Sequence, residues 1–259
     1  MKETIDAISE MAVTKVRTLN QSKSKYLMMA MLAGLFVGLG IILIFTIGGL
    51  LFPSGFVGTK IVMGVSFGIA LSLVIMAGSD LFTGNNMILT IGTMMKKTTW
   101  LDTLKIWLFS YFGNFVGSII VALLFFYSGL AVGNVATFIT EQASVKMNTP
   151  FVELMFRGIL CNILVCLAVW CSIKLKEETA KLIMIFWCLF AFITSGFEHS
   201  VANMTLLSIS LLVPHPETVS LAGMAANLIP VTLGNIIGGA AFMGLTYWYG
   251  TSEKQIKAH

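Results

Sequence analysis

The sequence predicts an all-α polytopic membrane domain. Six transmembrane helices form two inverted three-helix repeats, and the second and fifth helices are broken. Three observations predict it. Only 11% of the 259 residues are charged and 57% are hydrophobic, against about 25% charged in a soluble domain. The chain divides into six apolar blocks, each near the roughly 20 residues that span a bilayer. The second half of the chain also repeats glycine and acid patterns of the first. With a mean hydropathy of +0.90, so little charge cannot cover a soluble surface. A soluble enzyme, a disordered chain and a disulfide scaffold are thereby set aside. The four cysteines, Cys161, Cys166, Cys171 and Cys188, lie inside apolar stretches. They show neither zinc spacing nor a secreted framework.

The first 25 residues carry basic groups before any apolar run, which does not fit a cleavable signal. Ile5, Ile8, Ala12, Val16 and Leu19 recur at helical spacing, so residues 1–25 predict an amphipathic helix. Such a helix is expected to lie along the membrane surface; the alternative is a solvated charged tail. The spans follow at 26–51, 60–80, 101–130, 151–173, 181–197 and 220–249, with a shorter apolar block at 199–213. Together they make one channel-sized domain, 26–250, before a short tail at 251–259.

Charge placement sets the orientation. Lys2, Lys15, Arg17, Lys23, Lys25, Lys96, Lys97, Lys105, Lys174, Lys176, Lys181, Lys254 and Lys257 fall on one side, and only Lys60, Lys146 and Arg157 on the other. The positive-inside rule then puts both termini in the cytoplasm of a cell whose inner or plasma membrane the chain crosses.

Phe112-Gly113-Asn114-Phe115-Val116-Gly117-Ser118 recurs 121 residues later as Leu233-Gly234-Asn235-Ile236-Ile237-Gly238-Gly239, and Gly129 falls on Gly250. A weaker echo sets Gly34 to Gly38 against Gly158 to Asn162. Three spans per repeat is odd, so the second half enters the membrane upside down, a plan of transporters and channels with the site at mid-membrane. Glycines four apart at Gly34/Gly38, Gly64/Gly68, Gly113/Gly117 and Gly234/Gly238 allow close helix approach.

The second block ends in Gly78-Ser79-Asp80-Leu81-Phe82-Thr83-Gly84-Asn85-Asn86-Met87, the fifth in Gly196-Phe197-Glu198-His199-Ser200-Val201-Ala202-Asn203-Met204. Each has a glycine, an acid two residues on, polar residues, then Asn-Met, with apolar sequence on both sides. Non-helical backbone at that depth must be buried in protein or line a cavity, and matched breaks point to a transport site. Asp80 and Glu198 are the acids well inside apolar blocks, where ionisable groups are costly. Asp80 is read as structural, capping a helix start by accepting backbone N–H bonds. Glu198 is read as structural too, or as a partner that orients a neighbour. His199 is the histidine within a membrane block, and its ordinary pKa of about 6.5 suits a proton or hydrogen-bond donor. Thr83 offers a hydroxyl on the facing break, and Asn162 an amide. Lys146, beyond the outer end of the fourth span, would raise local anion concentration. Arg157 is expected to pair with Glu153 one turn earlier.

These runs resemble the formate/nitrite transporter family. The matching stretches are Asp80-Leu81-Phe82-Thr83, Arg157 to Asn162, Gly196 to Met204 and Gly234 to Gly239. The likeness covers nearly the whole chain and is closest to the hydrosulfide-channel branch. It implies an aquaporin-like fold, a homopentamer in membrane lipid, and one pore per protomer for small monovalent anions such as formate, nitrite or hydrosulfide. It also implies an anion pathway through His199, Thr83, Asn162 and Lys146. Constrictions are implied at Phe67, Leu71 and Phe192 on the outer side, and at Leu81, Phe82 and Val165 on the inner side. No cofactor, metal or nucleic acid is expected.

Lys146 is expected to attract the anion, and His199 with Thr83 and Asn162 to hold it, donating a hydrogen bond or a whole proton. A proton-coupled symporter of the same fold is the alternative. A water channel would carry paired Asn-Pro-Ala runs, which are absent. An intramembrane enzyme is remote: Glu198-His199 does not match the His-Glu-x-x-His of a zinc protease, and no Gly-x-Ser-Gly accompanies the flanking serines.

Overall fold

The computed structural model describes residues 1–251, and its regular elements are helices. Past Thr251, the expected tail with Lys254 and Lys257 lies outside the described residues. The helices run α1 (Lys2–Gln21), α2 (Lys23–Leu51), α3 (Thr59–Ser66), α4 (Gly68–Met76), α5 (Phe82–Met94), α6 (Trp100–Tyr127), α7 (Gly133–Met147), α8 (Phe151–Lys174), α9 (Glu178–Thr194), α10 (Ser200–Leu212) and α11 (Leu221–Ile236). From α11 the last span continues through a π-helical stretch (Ile237–Leu245) into α12 (Thr246–Tyr249). By length and composition, the described residues hold 5 segments able to cross a membrane: 23–54, 59–76, 100–127, 151–174 and 221–249. The 17 residues of α9 supply the remaining long crossing. The chain is a multi-pass membrane protein.

The halves correspond element by element: α2 with α8, α3 and α4 with α9, α5 with α10, and α6 with the last span. Helices α2 and α6 pack through Gly113 and Gly117, and α8 and the last span through Gly234 and Gly238. A Cβ at Gly117 would overlap the Met31 carbonyl oxygen, and one at Gly238 the Ile159 carbonyl oxygen. In lipid, where tails are as apolar as leucine, such backbone approach supplies the packing. These contacts correct the weaker sequence echo by one helical turn. Met31 corresponds to Ile159, so Asn162 sits opposite Gly34, not Gly38. The echo misaligned because Gly34 and Gly38 lie one turn apart, while the position that matches Gly158 is Ala30.

The N-terminal helix departs from expectation. Ile5, Ile8 and Ala12 are buried, and they pack with Met87, Ile88 and Ile91 of α5. Lys97 of the α5–α6 turn donates to Glu10. The apolar face of α1 therefore covers a half-helix of the same chain instead of resting on the membrane surface. An amphipathic pattern requires a partner for the apolar face but does not say which one.

Two helices were not legible as spans. Every residue from Phe82 to Gly92 in α5 is buried, as is every residue from Ser200 to Ser210 in α10. At 13 residues each they reach about 20 Å, too short to cross, and they begin inside the molecule and run out to its surface. A further helix, α7, lies between the repeats and carries Lys146 in its last turn.

Candidate functional site

The site is built where the two half-helices begin. Gly78 and Gly196 both adopt left-handed φ of 75°, open to glycine without strain. Each closes a helix in the same way: Ser79 N–H donates to Val74 O, and Phe197 N–H to Phe192 O, both at 3.0 Å. Such six-to-one bonds satisfy the last carbonyls of a helix. Two residues after each glycine, the backbone N–H is taken by a neighbouring span. Asp80 N–H donates to Met29 O at 3.1 Å, and Glu198 N–H to Arg157 O at 3.2 Å.

The asparagines of the repeated Gly-Asn pair clamp these breaks. Asn114 Oδ1 accepts from Phe82 N–H at 2.9 Å, while its Nδ2 donates to Ala30 O at 2.8 Å and Asp80 O at 2.9 Å. Asn235 Oδ1 accepts from Ser200 N–H at 2.9 Å, and its Nδ2 donates to Gly158 O at 2.8 Å and Glu198 O at 3.0 Å. Both residues are fully buried. Each amide satisfies three backbone groups that lipid would otherwise leave unpaired. Their recurrence was visible in the sequence; their role as clamps was not.

The carboxylates do not cap, contrary to the reading of Asp80. The capping oxygens belong to Asn114 and Asn235, because the chain turns each acid away from its helix start. Asp80 accepts from Lys15 Nζ at 2.7 Å and Tyr26 OH at 2.6 Å, and also from Asn85 Nδ2. Glu198 accepts from Lys146 Nζ at 2.7 Å and Asn203 Nδ2 at 2.6 Å. The second network closes on itself: Asn203 donates to Asn227 at 2.8 Å, and Asn227 to Lys146 O at 3.0 Å. One lysine thus answers each intramembrane acid. Lys15 and Asp80 lie 65 positions apart, and Lys146 and Glu198 52 apart, so sequence spacing gave no signal for either pair.

His199 is the N-cap of α10. Its Nδ1 accepts from Ala202 N–H at 3.1 Å, and its Nε2 faces Thr83 Oγ1 at 2.9 Å. An accepting Nδ1 carries no proton, so the neutral ring holds its proton on Nε2. The Nε2–H then donates to Thr83, whose own O–H proton is left to point elsewhere. The partner positions are not symmetric: Leu81 occupies, in the first half, the place of His199 in the second.

Two spaces meet at His199. A vestibule of about 390 Å³ is lined by Lys60, Lys146, Arg157, Phe192, Glu198 and His199, among others. Beyond Phe192 lies a void of about 10 Å³ bordered by Val37, Phe67, Ala70, Leu71, Leu81, Val165, Leu189, Phe192 and His199. That volume holds about one water. Phe192 divides the two spaces; its ring lies edge-on to Phe67 at 5.6 Å and parallel to the His199 ring at 6.0 Å.

Five of the six expected constriction residues border this one void. The exception is Phe82, which turns to α6 and packs edge-on against Tyr111 at 5.0 Å. Asn162 borders neither space. Its Nδ2 faces Thr83 O at 3.1 Å, Asn86 Oδ1 at 3.0 Å and Asn235 O at 2.6 Å. Two amide protons against three acceptors leave no donor for a ligand, so Asn162 positions the Thr83 backbone. Lys146 does line the vestibule, but Glu198 neutralises it. Arg157 donates to Glu153 at 2.8 Å.

The family model described as formate/nitrite transporter matches residues 2–249. The chain is 50% identical over 229 residues to the nitrite transporter NirC of Salmonella typhimurium, covering 86% of this chain and 82% of that protein. It is 34% identical over 263 residues to the formate channel FocA of Escherichia coli, covering 93% and 90%. A solved structure described as an FNT family ion channel superposes with a TM-score of 0.93 at 45% identity, covering 97% of this chain and 100% of that one. Another, a pentameric formate channel with formate bound, gives 0.75 at 27% identity over 87% and 96%. These relatives are transporters and channels, not enzymes, and their names bear on nitrite and formate rather than on a hydrosulfide branch. The two half-helices meeting at His199, and the match over nearly every described residue, lead to one conclusion: the chain belongs to the formate/nitrite transporter family.

Proposed function

We propose that the chain passes small monovalent anions of weak acids, formate and nitrite first among them, through a pore in each protomer of a homopentamer. The named relatives and the pentameric solved structure support this reading. Hydrosulfide, an anion of the same charge, belongs to the same class. Both termini are placed in the cytoplasm, which the lysine distribution supports.

The observation that carries the mechanism is the His199 pair of contacts at an apolar throat. An anion entering the throat loses water, and an isolated charge there faces a large desolvation cost. His199 Nε2–H and the Thr83 hydroxyl supply donors where that loss is greatest. Because Nδ1 caps α10, forming the imidazolium would break the Ala202 bond. Giving up the Nε2 proton would leave an imidazolate. His199 therefore acts as a fixed hydrogen-bond donor, and a proton that neutralises a weak-acid anion comes from water in the vestibule. The intact Lys146–Glu198 pair stands beside this route as its polar wall.

The test is flux into proteoliposomes, with formate, nitrite, hydrosulfide and chloride offered separately. Passage of the weak-acid anions and rejection of chloride is expected. Chloride passing as fast as formate would refute weak-acid selectivity. Uphill formate accumulation driven by a proton gradient would favour the symporter instead.

A further inference from the structure

Four charged residues line the vestibule: Lys60, Lys146, Arg157 and Glu198. Their charges are not equally available. Lys146 is bonded to Glu198 at 2.7 Å, and both are largely buried, with 22% and 4% side-chain exposure. Arg157 is bonded to Glu153 at 2.8 Å. An ion pair presents a dipole to an approaching anion, and its field falls off faster than that of a single charge. Lys60 stands apart. It lies in the first turn of α3, is solvent-exposed, and has no carboxylate within ion-pair distance among the described residues. Its neighbours on the vestibule wall, Thr59, Gln142 and Thr149, are neutral.

We propose that Lys60, the unpaired cation of the vestibule wall, sets the capture of anions from the outer solution, while Lys146 serves the Glu198 network. This rests on the anion-pore reading above. A cleft with low-dielectric walls and one sign of charge concentrates counter-ions and raises their entry rate. Here the walls are apolar, contributed by Ile41, Phe45, Met63 and Phe138. Lys60 is the charge not already answered by a neighbour. It does not border the throat void, so its contribution is to local concentration and not to the crossing itself.

The experiment compares full-length wild type with Lys60→Gln, Lys60→Glu and Lys60→Arg in proteoliposomes, using formate at a range of concentrations. Each is measured at about 0.01 M and about 1 M ionic strength, where the Debye length is roughly 30 Å and 3 Å. At low salt and sub-saturating formate, Lys60→Gln is expected to lower flux about two- to five-fold, and Lys60→Glu more. Lys60→Arg should match wild type. At saturating formate or high salt the variants should converge. Equal flux of Lys60→Gln and wild type at low salt overturns the proposal. So does a loss that persists at saturating formate, since that would mark a structural role. A wild type that passes no anion would instead sink the pore reading itself.

Discussion

Substituting His199 by asparagine separates its two contacts. Asparagine is among the best N-cap residues, so its Oδ1 can take over the Ala202 N–H that Nδ1 accepts at 3.1 Å. It is too short to replace the Nε2–H that reaches Thr83 at 2.9 Å. The fold should hold, and the pore should lose one donor. A hydrogen bond to a charged group is worth about 1.5–3 kcal/mol, and each 1.36 kcal/mol is about tenfold in rate. Formate flux by His199→Asn should therefore fall roughly 10- to 100-fold, with thermal stability within about 0.5 kcal/mol of wild type. His199→Ala loses the cap as well and should be less stable by about 1 kcal/mol. The assay is formate uptake into proteoliposomes, paired with thermal unfolding of the detergent-solubilised oligomer. Flux by His199→Asn within twofold of wild type, with unchanged pH dependence, would refute the donor role. A stability loss equal to that of His199→Ala would refute the cap argument.

Other outcomes follow from the same geometry. Asn235→Ala strands Ser200 N–H, Gly158 O and Glu198 O and should cost about 3–9 kcal/mol at 1–3 kcal/mol per buried group. Asn114→Ala should match it in a melting experiment because its three partners are equivalent. Gly238→Val drives a side chain into the Ile159 carbonyl and should prevent recovery of a stable oligomer by size exclusion. Lys15→Met leaves the Asp80 carboxylate without its cation and should destabilise by about 1–3 kcal/mol, reduced because Lys15 is partly exposed. Lys97 bonds Glu10 and holds its carboxyl below the ordinary carboxylate range. A lowered folded pKa contributes stability above the ordinary value that is lost as pH falls through the lowered one. Proteolysis of α1 should accordingly quicken on acidification through that window, and Glu10→Gln should remove this part of the pH dependence, most visibly at low salt.

Much of the architecture is legible because membrane constraints are local. A span must be apolar over about 20 residues, so the crossings stand out, and two glycine–acid runs inside apolar sequence announce the breaks. Half-helix α5 is less legible. Thr83, Gly84, Asn85 and Asn86 read as loop chemistry, yet all four are buried inside the helix, because distant groups meet part of their polarity: Thr83 Oγ1 faces His199, Asn85 Nδ2 donates to Asp80 and Tyr26, and Asn86 Oδ1 accepts from Asn162.

At the site, residue types were informative and partners were not. His199 and Thr83 meet at 2.9 Å across 116 positions, and only the inverted packing of the halves brings them together. Asn162 has a donor's chemistry, but three acceptors from other segments consume it. Phe82 and Leu81 are adjacent in sequence; at the start of α5 one faces Tyr111 and the other the throat.

The sequence by itself determined that the chain crosses the membrane, where it breaks, that it repeats, and which family it resembles. Each of these depends on hydropathy or on spacing along one strand of chain. The tertiary structure alone decided which lysine answers which acid, that α1 covers α5, which register aligns Gly34 with Asn162, and which nitrogen of His199 carries the proton. Those depend on side chains dozens of residues apart sharing one buried volume, where most polar groups must find a partner.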